Sequence, residues 1–312
     1  MSATVGDAHM SGEPAAAATV TGTRRRALYL LVILTLAWGS TWPLFSMAVH
    51  EVSVWTFRAV SVTLAGVVVL GVARLRGQSL QISRKHWLRI CIATFFYFVL
   101  WNIASTYAAI LLPSGQAAVI GFTMPLWSAL LSWAVLGERL GARLVLGIVL
   151  GGVAVLPLMV PSFKAYAQAP AGLALGLVAA IGWAIGTLII KRSDIDVSAI
   201  VLTGWQLLIA AVPTAIRALI LSDGVWFIPS WQSIAVITYI ALVPMAIGNV
   251  SWFAIVGILP VNVAGLSVVA VPVVAMLAGA LVHGEPLGAI QLAAMACCFA
   301  ALWLVLVRPG TR

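Results

Sequence analysis

The chain has 312 residues, of which 63% are apolar and only 8% are charged, and its formal net charge is +9. About a quarter of the residues in a soluble globular domain are charged, so this composition argues against a soluble protein and indicates a chain that lies in a membrane. The apolar runs are continuous and do not alternate with period two, which favours membrane-spanning helices over the strands of a barrel.

The hydrophobic pattern predicts ten transmembrane helices, each about as long as a bilayer is thick. In chain order the predicted helices cover residues 27–48, 53–73, 87–109, 113–136, 143–160, 172–191, 197–220, 232–252, 262–282 and 288–307. Residues 1–23 are rich in small residues and are expected to form a disordered cytoplasmic tail. The remaining chain divides into a first five-helix unit over 24–160, a linker over 161–171, a second five-helix unit over 172–307 and a short cytoplasmic tail over 308–312.

One stretch of the sequence occurs twice. Residues 113–142 align with residues 260–289 without a gap at a constant shift of 147. Two prolines and a Gly-Glu pair match in one register, namely Pro113 with Pro260, Pro125 with Pro272, and Gly137-Glu138 with Gly284-Glu285. In a membrane protein, such a repeat is typical of a transporter built from two related halves.

The distribution of basic residues predicts the orientation of the helices. Most Lys and Arg residues fall in loops on the side of the N-terminus, and short cytoplasmic loops carry such an excess. Both termini are therefore predicted to be cytoplasmic, with the loops that contain Glu51, Lys164 and Glu285 outside. Five helices per half place the second half upside down, so we predict an all-α integral membrane protein with two five-helix inverted-topology repeats.

These features resemble the drug/metabolite transporter superfamily, in particular its ten-helix members with two EamA-like repeats. The resemblance is carried by Trp38-Gly39-Ser40-Thr41, Trp183 and the Pro…Gly-Glu patterns at 125–138 and 272–285. Family members often carry Lys near the end of the first helix of a repeat, and Lys191 fits this pattern only in the second half. The resemblance implies a transporter, often an exporter, of metabolites or amino acids, and it does not settle the substrate.

Deep aromatic, amide and hydroxyl side chains predict a substrate cavity. Side chains four residues apart share a helix face, as Trp183 and Thr187 do. The candidate substrate-binding residues are Trp38, Thr41, Trp42, Tyr97, Trp101, Asn102, Ser105, Trp183, Thr187, Trp205, Gln206, Asn249 and Trp252. Alternatively, these tryptophans pack against lipid or helices, and the amides join helices by hydrogen bonds. Four tryptophans at span ends are assigned to the interfacial belt: Trp55, Trp87, Trp226 and Trp231.

Prolines and charged residues suggest further roles. Pro125 and Pro272 interrupt predicted spans at the same repeat position, so they are predicted to form gating hinges, with a role in helix shape alone as the alternative. Arg58 is a possible charged site because intramembrane charges are often functional, although its long side chain can equally reach the interface. Glu138 and Glu285 follow glycines at helix ends and are interpreted as local capping or pairing groups.

The placement of acids and histidines argues against two mechanisms. No Asp, Glu or His lies at the middle of a predicted span, which disfavours proton coupling through a central carboxylate and a membrane-embedded enzyme. The sequence has no Gly-rich phosphate loop, and its three cysteines show no metal-ligand spacing. We therefore expect no catalytic residue, no cofactor and no metal.

Together these features predict a secondary transporter or facilitator that exports small organic solutes by alternating access through a central cavity. Amino acids, with aromatic ones preferred, fit a cavity of Trp and Tyr rings with amides. Efflux of other metabolites or hydrophobic drugs is the alternative, and a membrane-embedded enzyme or a structural or receptor-like membrane protein would belong to a different class. We expect an inner-membrane protein in contact with the solute and lipid but no nucleic acid, functional as a monomer because ten helices can enclose a cavity.

Overall fold

The computed structural model describes residues 13–41, 44, 51–112, 120–121, 123–139, 141–159, 167–221, 229–284 and 287–303, and these residues are all-helical apart from turns and connections. The α-helices are Glu13–Gly39 (α1), Val54–Leu75 (α2), Arg84–Thr94 (α3), Trp101–Leu111 (α4), Met124–Leu136 (α5), Ala142–Met159 (α6), Pro170–Arg192 (α7), Ala199–Leu221 (α8), Trp231–Ile240 (α9), Asn249–Ile258 (α10), Val261–Ser267 (α11), Val271–His283 (α12) and Ala289–Leu302 (α13). The π-helical segments Phe95–Leu100 and Ala241–Gly248 join α3 to α4 and α9 to α10, and the 3₁₀ turn Val268–Ala270 joins α11 to α12.

The helices have the length and surface of membrane spans. Within the described residues, six are long and apolar enough to cross a bilayer, namely Val54–Leu75, Arg84–Ala108, Pro170–Arg192, Ala199–Ile220, Trp231–Ile258 and Val263–Val282. Large apolar side chains such as Val67 and Val212 are more than half exposed in the middle of their spans, which is unfavourable in water but suits contact with lipid. The chain is therefore a multi-pass membrane protein.

The first helix starts further upstream than the sequence pattern indicated. It begins at Glu13, within the segment that was expected to be a disordered tail. The upstream extension contains four consecutive alanines, which have the highest helix propensity, and Pro14 stands in the first turn, where proline is tolerated. Local propensity therefore continues the helix beyond the apolar run on which the prediction was based.

The two π-helical segments lie at equivalent positions of the two halves. When Phe95–Leu100 is shifted by the repeat distance, it falls inside Ala241–Gly248. The helices that follow both end at a leucine with extended backbone, Leu112 (φ −121°, ψ 151°) and Leu259 (φ −105°, ψ 156°). The correspondence between the halves therefore begins upstream of the stretch that the sequence alone aligned.

The repeated prolines stand at the start of helical segments and not in their interior. Pro125 lies in the first turn of α5 and Pro272 in the first turn of α12, where the missing N–H would have no intrahelical acceptor. The interruption lies just upstream, at a turn around Thr123 and at the 3₁₀ turn Val268–Ala270. A break before each proline thus replaces the expected kink inside a continuous helix, and the gating role stays a prediction.

Each half packs its first helix against the other half. Helix α1 contacts α10, α12 and the Ala241–Gly248 segment, whereas α7 contacts α4, α5 and the Phe95–Leu100 segment. Helix α2 packs along α8, and α6 packs along α13. The largest hydrophobic core contains buried residues from both halves, including Leu34, Tyr97, Trp183 and Trp252. The core therefore lies where the halves interlock.

Two glycines allow α7 to approach closely the span formed by α3, Phe95–Leu100 and α4, which we call the third span. A Cβ atom on Gly186 would lie 2.6 Å from the carbonyl oxygen of Ala93 and 2.7 Å from the backbone nitrogen of Tyr97, and one on Gly182 would lie 3.2 Å from the carbonyl oxygen of Phe96. Small residues permit this kind of backbone approach between membrane helices. The contact brings Tyr97 close to Trp183, which lies between these two glycines on α7.

Candidate functional site

Four aromatic rings from four segments meet at the interface between the halves. We call Trp38, Tyr97, Trp183 and Trp252 the central aromatic cluster. Its ring centroids are 4.4 Å apart for Trp183 and Trp252, 5.5 Å for Tyr97 and Trp183, 6.0 Å for Trp38 and Trp252, and 6.4 Å for Trp38 and Trp183. Tyr97, Trp183 and Trp252 are at most 3% exposed. The structure therefore joins four residues that the sequence distributes over four predicted helices.

Hydrogen bonds attach this cluster to the π-helical segment of the second half. The Tyr97 hydroxyl donates to Asn249 Oδ1 (3.0 Å), and the Asn249 amide donates to the carbonyl oxygens of Met245 (2.9 Å) and Pro244 (3.3 Å). Trp38 Nε1 also donates to the Pro244 carbonyl oxygen (3.1 Å). A π-helical turn disturbs the regular backbone hydrogen-bonding pattern. Trp38 and Asn249 donate to carbonyl oxygens of this segment, and Tyr97 is connected to them through Asn249.

Trp252 and Gln206 are among the buried polar side chains that lack such partners within the described residues. Trp252 and Gln206 are both 0% exposed. Neither Trp252 Nε1 nor either polar atom of the Gln206 amide has a hydrogen-bond partner in the described protein. Buried polar groups in native structures are nearly always paired, so these two exceptions need an explanation.

Asn102 is the repeat equivalent of Asn249 and makes the equivalent bond in the first half. Its amide donates to the Phe98 carbonyl oxygen (2.7 Å), as Asn249 does to Met245. Asn102 Oδ1 accepts from Nη1 of Arg58, whose Nε donates to Thr106 Oγ1 (3.1 Å). The Arg58 side chain is partly buried. It is thus directed into the protein, where it bridges α2 and α4, and it does not simply extend to the interface.

A neighbouring contact was missed by reasoning from the sequence. Arg217 donates to the Tyr107 hydroxyl and lies 5.2 Å from the centroid of the Trp55 ring. The Trp55 and Tyr107 centroids are 6.0 Å apart, and Trp55 is buried, so it does not sit in an open interfacial belt. Thr106 was also missed, although it lies one helical turn from Asn102 and therefore on the same helix face.

Two predicted tryptophans lie outside the central aromatic cluster. Trp101 is half-buried beside Gly121, where an added Cβ would lie 3.3 Å from its ring. Trp205 packs edge-on against Trp87, with centroids 5.0 Å apart, and donates from Nε1 to the Leu80 carbonyl oxygen (2.9 Å). Trp205 therefore stabilises the connection between α2 and α3. Trp87, which was assigned to the interfacial belt, is its packing partner.

The predicted hydroxyl residues are bonded mainly within their own helices. Thr41 donates to the Ala37 carbonyl oxygen (3.2 Å) and Thr187 donates to the Trp183 carbonyl oxygen (3.0 Å). The Ser105 hydroxyl oxygen is buried and has no partner within the described residues. Trp42 lies outside the described residues, so the structure does not place it.

Arg58→Lys is expected to lower stability by about 1–2 kcal/mol, because a lysine cannot offer the fork of donors that reaches both Asn102 and Thr106. Thermal unfolding of the detergent-purified protein measures the change. Arg76→Lys is the matched control, since Arg76 is exposed beyond the end of α2. Equal midpoints for Arg58→Lys and the wild type would show that the bridge contributes nothing.

Two charged residues flank the connection between α10 and α11. Lys191 Nζ donates to the carbonyl oxygens of Val256 (2.7 Å) and Leu259 (3.0 Å), and Glu138 Oε1 accepts from the Val261 backbone nitrogen (3.1 Å). A cation at a helix C-terminus and a carboxylate at a helix N-terminus are both favourable. Glu138 thus caps α11 in the other half and not, as expected, a turn of its own helix end, whereas Glu285 lies outside the described residues.

The comparison with protein families identifies the class of this protein. A model of the EamA-like transporter family matches residues 25–160 and, separately, residues 170–307. The chain therefore belongs to the EamA-like transporter family, and each of its two halves carries the family pattern.

Several curated proteins are similar over most of the chain. The uncharacterized transporter YvbV of Bacillus subtilis is 25% identical over 288 residues, which cover 90% of this chain and 92% of that protein. A probable amino-acid metabolite efflux pump of Escherichia coli is 25% identical over 272 residues, covering 84% of this chain and 88% of that protein. A protein of known crystal structure is 20% identical, with a TM-score of 0.74 over 89% of this chain and 98% of its own, and this likeness supports the fold alone.

Proposed function

We propose that this EamA-like transporter is a secondary transporter that exports small organic solutes, with amino acids as the main class and aromatic amino acids preferred. The central aromatic cluster carries the proposal, because it combines four rings in mutual contact with the amide of Asn249 at the junction of the two halves. Aromatic rings provide apolar contact for a side chain, and amides bind polar groups. The name of the similar Escherichia coli protein, a probable amino-acid metabolite efflux pump, supports the same solute class.

We also propose the finer architecture on which alternating access depends: ten transmembrane helices in two inverted five-helix repeats, divided into units over 24–160 and 172–307. The exchanged packing of α1 and α7 supports it, since each helix contacts the equivalent elements of the opposite half. Transport would then involve movement of one half against the other around the central aromatic cluster. Pro125 and Pro272, next to the helix breaks, are the proposed hinges. A monomer in the inner membrane, surrounded by lipid and without nucleic acid, is sufficient for this mechanism.

Contacts between helix ends support the proposed orientation. Glu138, Lys191 and the α10–α11 connection, all assigned to the cytoplasmic side, lie together. Glu51, assigned to the outside, accepts from the Ser230 backbone nitrogen (3.0 Å) and the Ser233 hydroxyl (2.7 Å), which lie at the start of α9 on the same predicted side. Residues assigned to the same side of the membrane therefore contact each other, as helices that alternate in direction require.

An export assay tests the proposed function. Cells or proteoliposomes that contain the protein are loaded with labelled phenylalanine, labelled threonine or a cationic dye, and the rate of release is compared with that of protein-free controls. We expect release of phenylalanine to be fastest and release of threonine to be slower. Release of the dye alone would favour efflux of hydrophobic drugs and contradict the amino-acid proposal.

The orientation has its own test. Single cysteines introduced at Glu51 and Lys164 into a cysteine-free background are expected to react with an impermeant thiol reagent added outside intact cells, because both loops are assigned to the outside. A cysteine at Arg192, the end of α7, should react only after the cells are opened. Labelling of position 164 only from the cytoplasm would refute the inverted arrangement.

A further inference from the structure

Two unpaired polar side chains lie on neighbouring helices of the core. Gln206 belongs to α8 and Trp252 belongs to α10, and these two helices pack against each other. Both side chains are completely buried, and the Trp252 indole N–H and both polar atoms of the Gln206 amide have no hydrogen-bond partner within the described protein. Leaving such groups unpaired is destabilising, so a ligand that forms hydrogen bonds with them would gain this free energy on binding.

Two other polar atoms of the central aromatic cluster, in contrast, have hydrogen-bond partners. Trp38 Nε1 donates to the Pro244 carbonyl oxygen, and the Tyr97 hydroxyl donates to Asn249 Oδ1. Trp252 is in ring contact with both Trp38 and Trp183, yet its N–H is left over. Paired groups therefore hold the rings together, whereas the Trp252 N–H in the same cluster has no partner within the described residues.

We propose that Trp252 Nε1 and the Gln206 amide bind the zwitterionic head of an amino acid while the central aromatic cluster holds its side chain. This inference rests on the proposed function. An indole N–H can only donate, so it would bind a carboxylate oxygen. The Gln206 amide has donors for the same carboxylate and an oxygen that accepts from the α-ammonium group. The three neutral polar atoms thus match the two charged groups of a solute without net charge.

Three ligands test the contributions of the ring, the carboxylate and the ammonium group to binding. Phenylalanine carries the ring, the carboxylate and the ammonium group. 3-Phenylpropionate lacks the ammonium group, and 2-phenylethylamine lacks the carboxylate. Hydrogen bonds to charged groups are stronger than those between neutral groups, so loss of one donor should be visible as a selective loss of affinity.

The experiment measures calorimetric binding of these ligands to the full chain in lipid nanodiscs. Trp252→Phe keeps an aromatic ring and removes the N–H. We expect it to weaken binding of phenylalanine and of 3-phenylpropionate by about 10-fold or more, while binding of 2-phenylethylamine stays within about 2-fold of the wild type. Gln206→Leu is expected to weaken phenylalanine binding most, since it removes contacts to both charged groups. Gln206→Leu should not lower the unfolding temperature, because it removes buried polar atoms that have no partner. Trp252→Phe should lower it modestly, because the smaller ring leaves a cavity at a fully buried position.

Trp87→Phe is the matched control. Its Nε1 donates to the Ile82 carbonyl oxygen (3.2 Å), away from the central aromatic cluster. This variant should lower stability slightly and leave ligand binding unchanged, whereas Trp252→Phe should weaken binding of the two ligands that carry a carboxylate.

The outcomes separate the inference from the proposed function. If well-folded Trp252→Phe and Gln206→Leu bind phenylalanine as the wild type does, the assignment of these atoms is wrong and amino-acid transport stands. If the wild type binds none of the three ligands and exports no amino acid, both proposals fail. If Trp252→Phe does not fold because the smaller ring leaves a cavity, Gln206→Leu decides, and unchanged phenylalanine binding by that variant overturns the assignment.

Discussion

Replacing Gly186 by valine is expected to prevent stable assembly of the two halves. A Cβ atom at this position would lie 2.6 Å from the Ala93 carbonyl oxygen and 2.7 Å from the Tyr97 backbone nitrogen. Backbone atoms cannot rotate away as a side chain can, so α7 would have to move away from the third span. Overpacking costs about 1–3 kcal/mol and occasionally more, and valine adds two methyl groups to the Cβ. We expect a loss of about 3 kcal/mol or more and little monodisperse protein after detergent extraction.

Gly71→Ala provides the control for this result. Gly71 lies inside α2, and an added Cβ would meet no atom within 4 Å. Alanine favours helix over glycine by about 1 kcal/mol in the aqueous reference scales, so this variant should be at least as stable as the wild type. The comparison uses fluorescence-detected size exclusion and thermal unfolding. A Gly186→Val protein as stable as Gly71→Ala would show that the contact with the third span is not tight.

Trp183→Ala is expected to abolish transport and to destabilise the protein, because Trp183 contacts the three other members of the central aromatic cluster. Removal of a buried tryptophan typically costs about 3–5 kcal/mol. Trp183→Phe should recover much of the stability and part of the transport rate, since it retains an aromatic ring. The measurements are phenylalanine release from proteoliposomes and thermal unfolding of the same preparation.

Substitutions at two other tryptophans serve as comparisons for Trp183→Ala. Trp231 is 74% exposed at the start of α9, so Trp231→Ala should change neither release rate nor substrate preference. Trp101 lies outside the central aromatic cluster, so Trp101→Ala should reduce release less than Trp183→Ala does. If Trp183→Ala remains well folded and transports phenylalanine at the wild-type rate, the central aromatic cluster is a packing core and not a solute site.

Much of the fold can be predicted from the sequence because lipid imposes a simple rule on composition. A continuous apolar run must form a helix, and the predicted positions of α2, α7 and α8 lie within two residues of the structure at both ends. The start of α1 could not be predicted from hydropathy, because alanine propensity extends it as far as Glu13. The π-helical segments were also missed, since a π turn depends on backbone hydrogen bonding and leaves no hydropathy signal.

The site was predicted by residue type more successfully than by location. Depth in a span and aromatic character selected Trp38, Tyr97, Trp183 and Trp252, which meet in the structure. The same criteria also selected Trp205, which packs on a loop. Depth alone does not define which face of a helix is directed towards the opposite half. That choice depends on helix packing, which only the three-dimensional structure shows.

The matched π-helical segments also show how closely the two halves resemble each other. A π turn arises when an α-helix accommodates an additional residue, and its position in a span is not set by hydropathy. Phe95–Leu100 and Ala241–Gly248 lie at the same place in two halves that both match one family model. Asn102 and Asn249 each follow their segment and hold one of its carbonyl groups. The two halves are therefore alike in the conformation of their backbone as well as in the family pattern, and in each an asparagine binds the carbonyl group four residues before it.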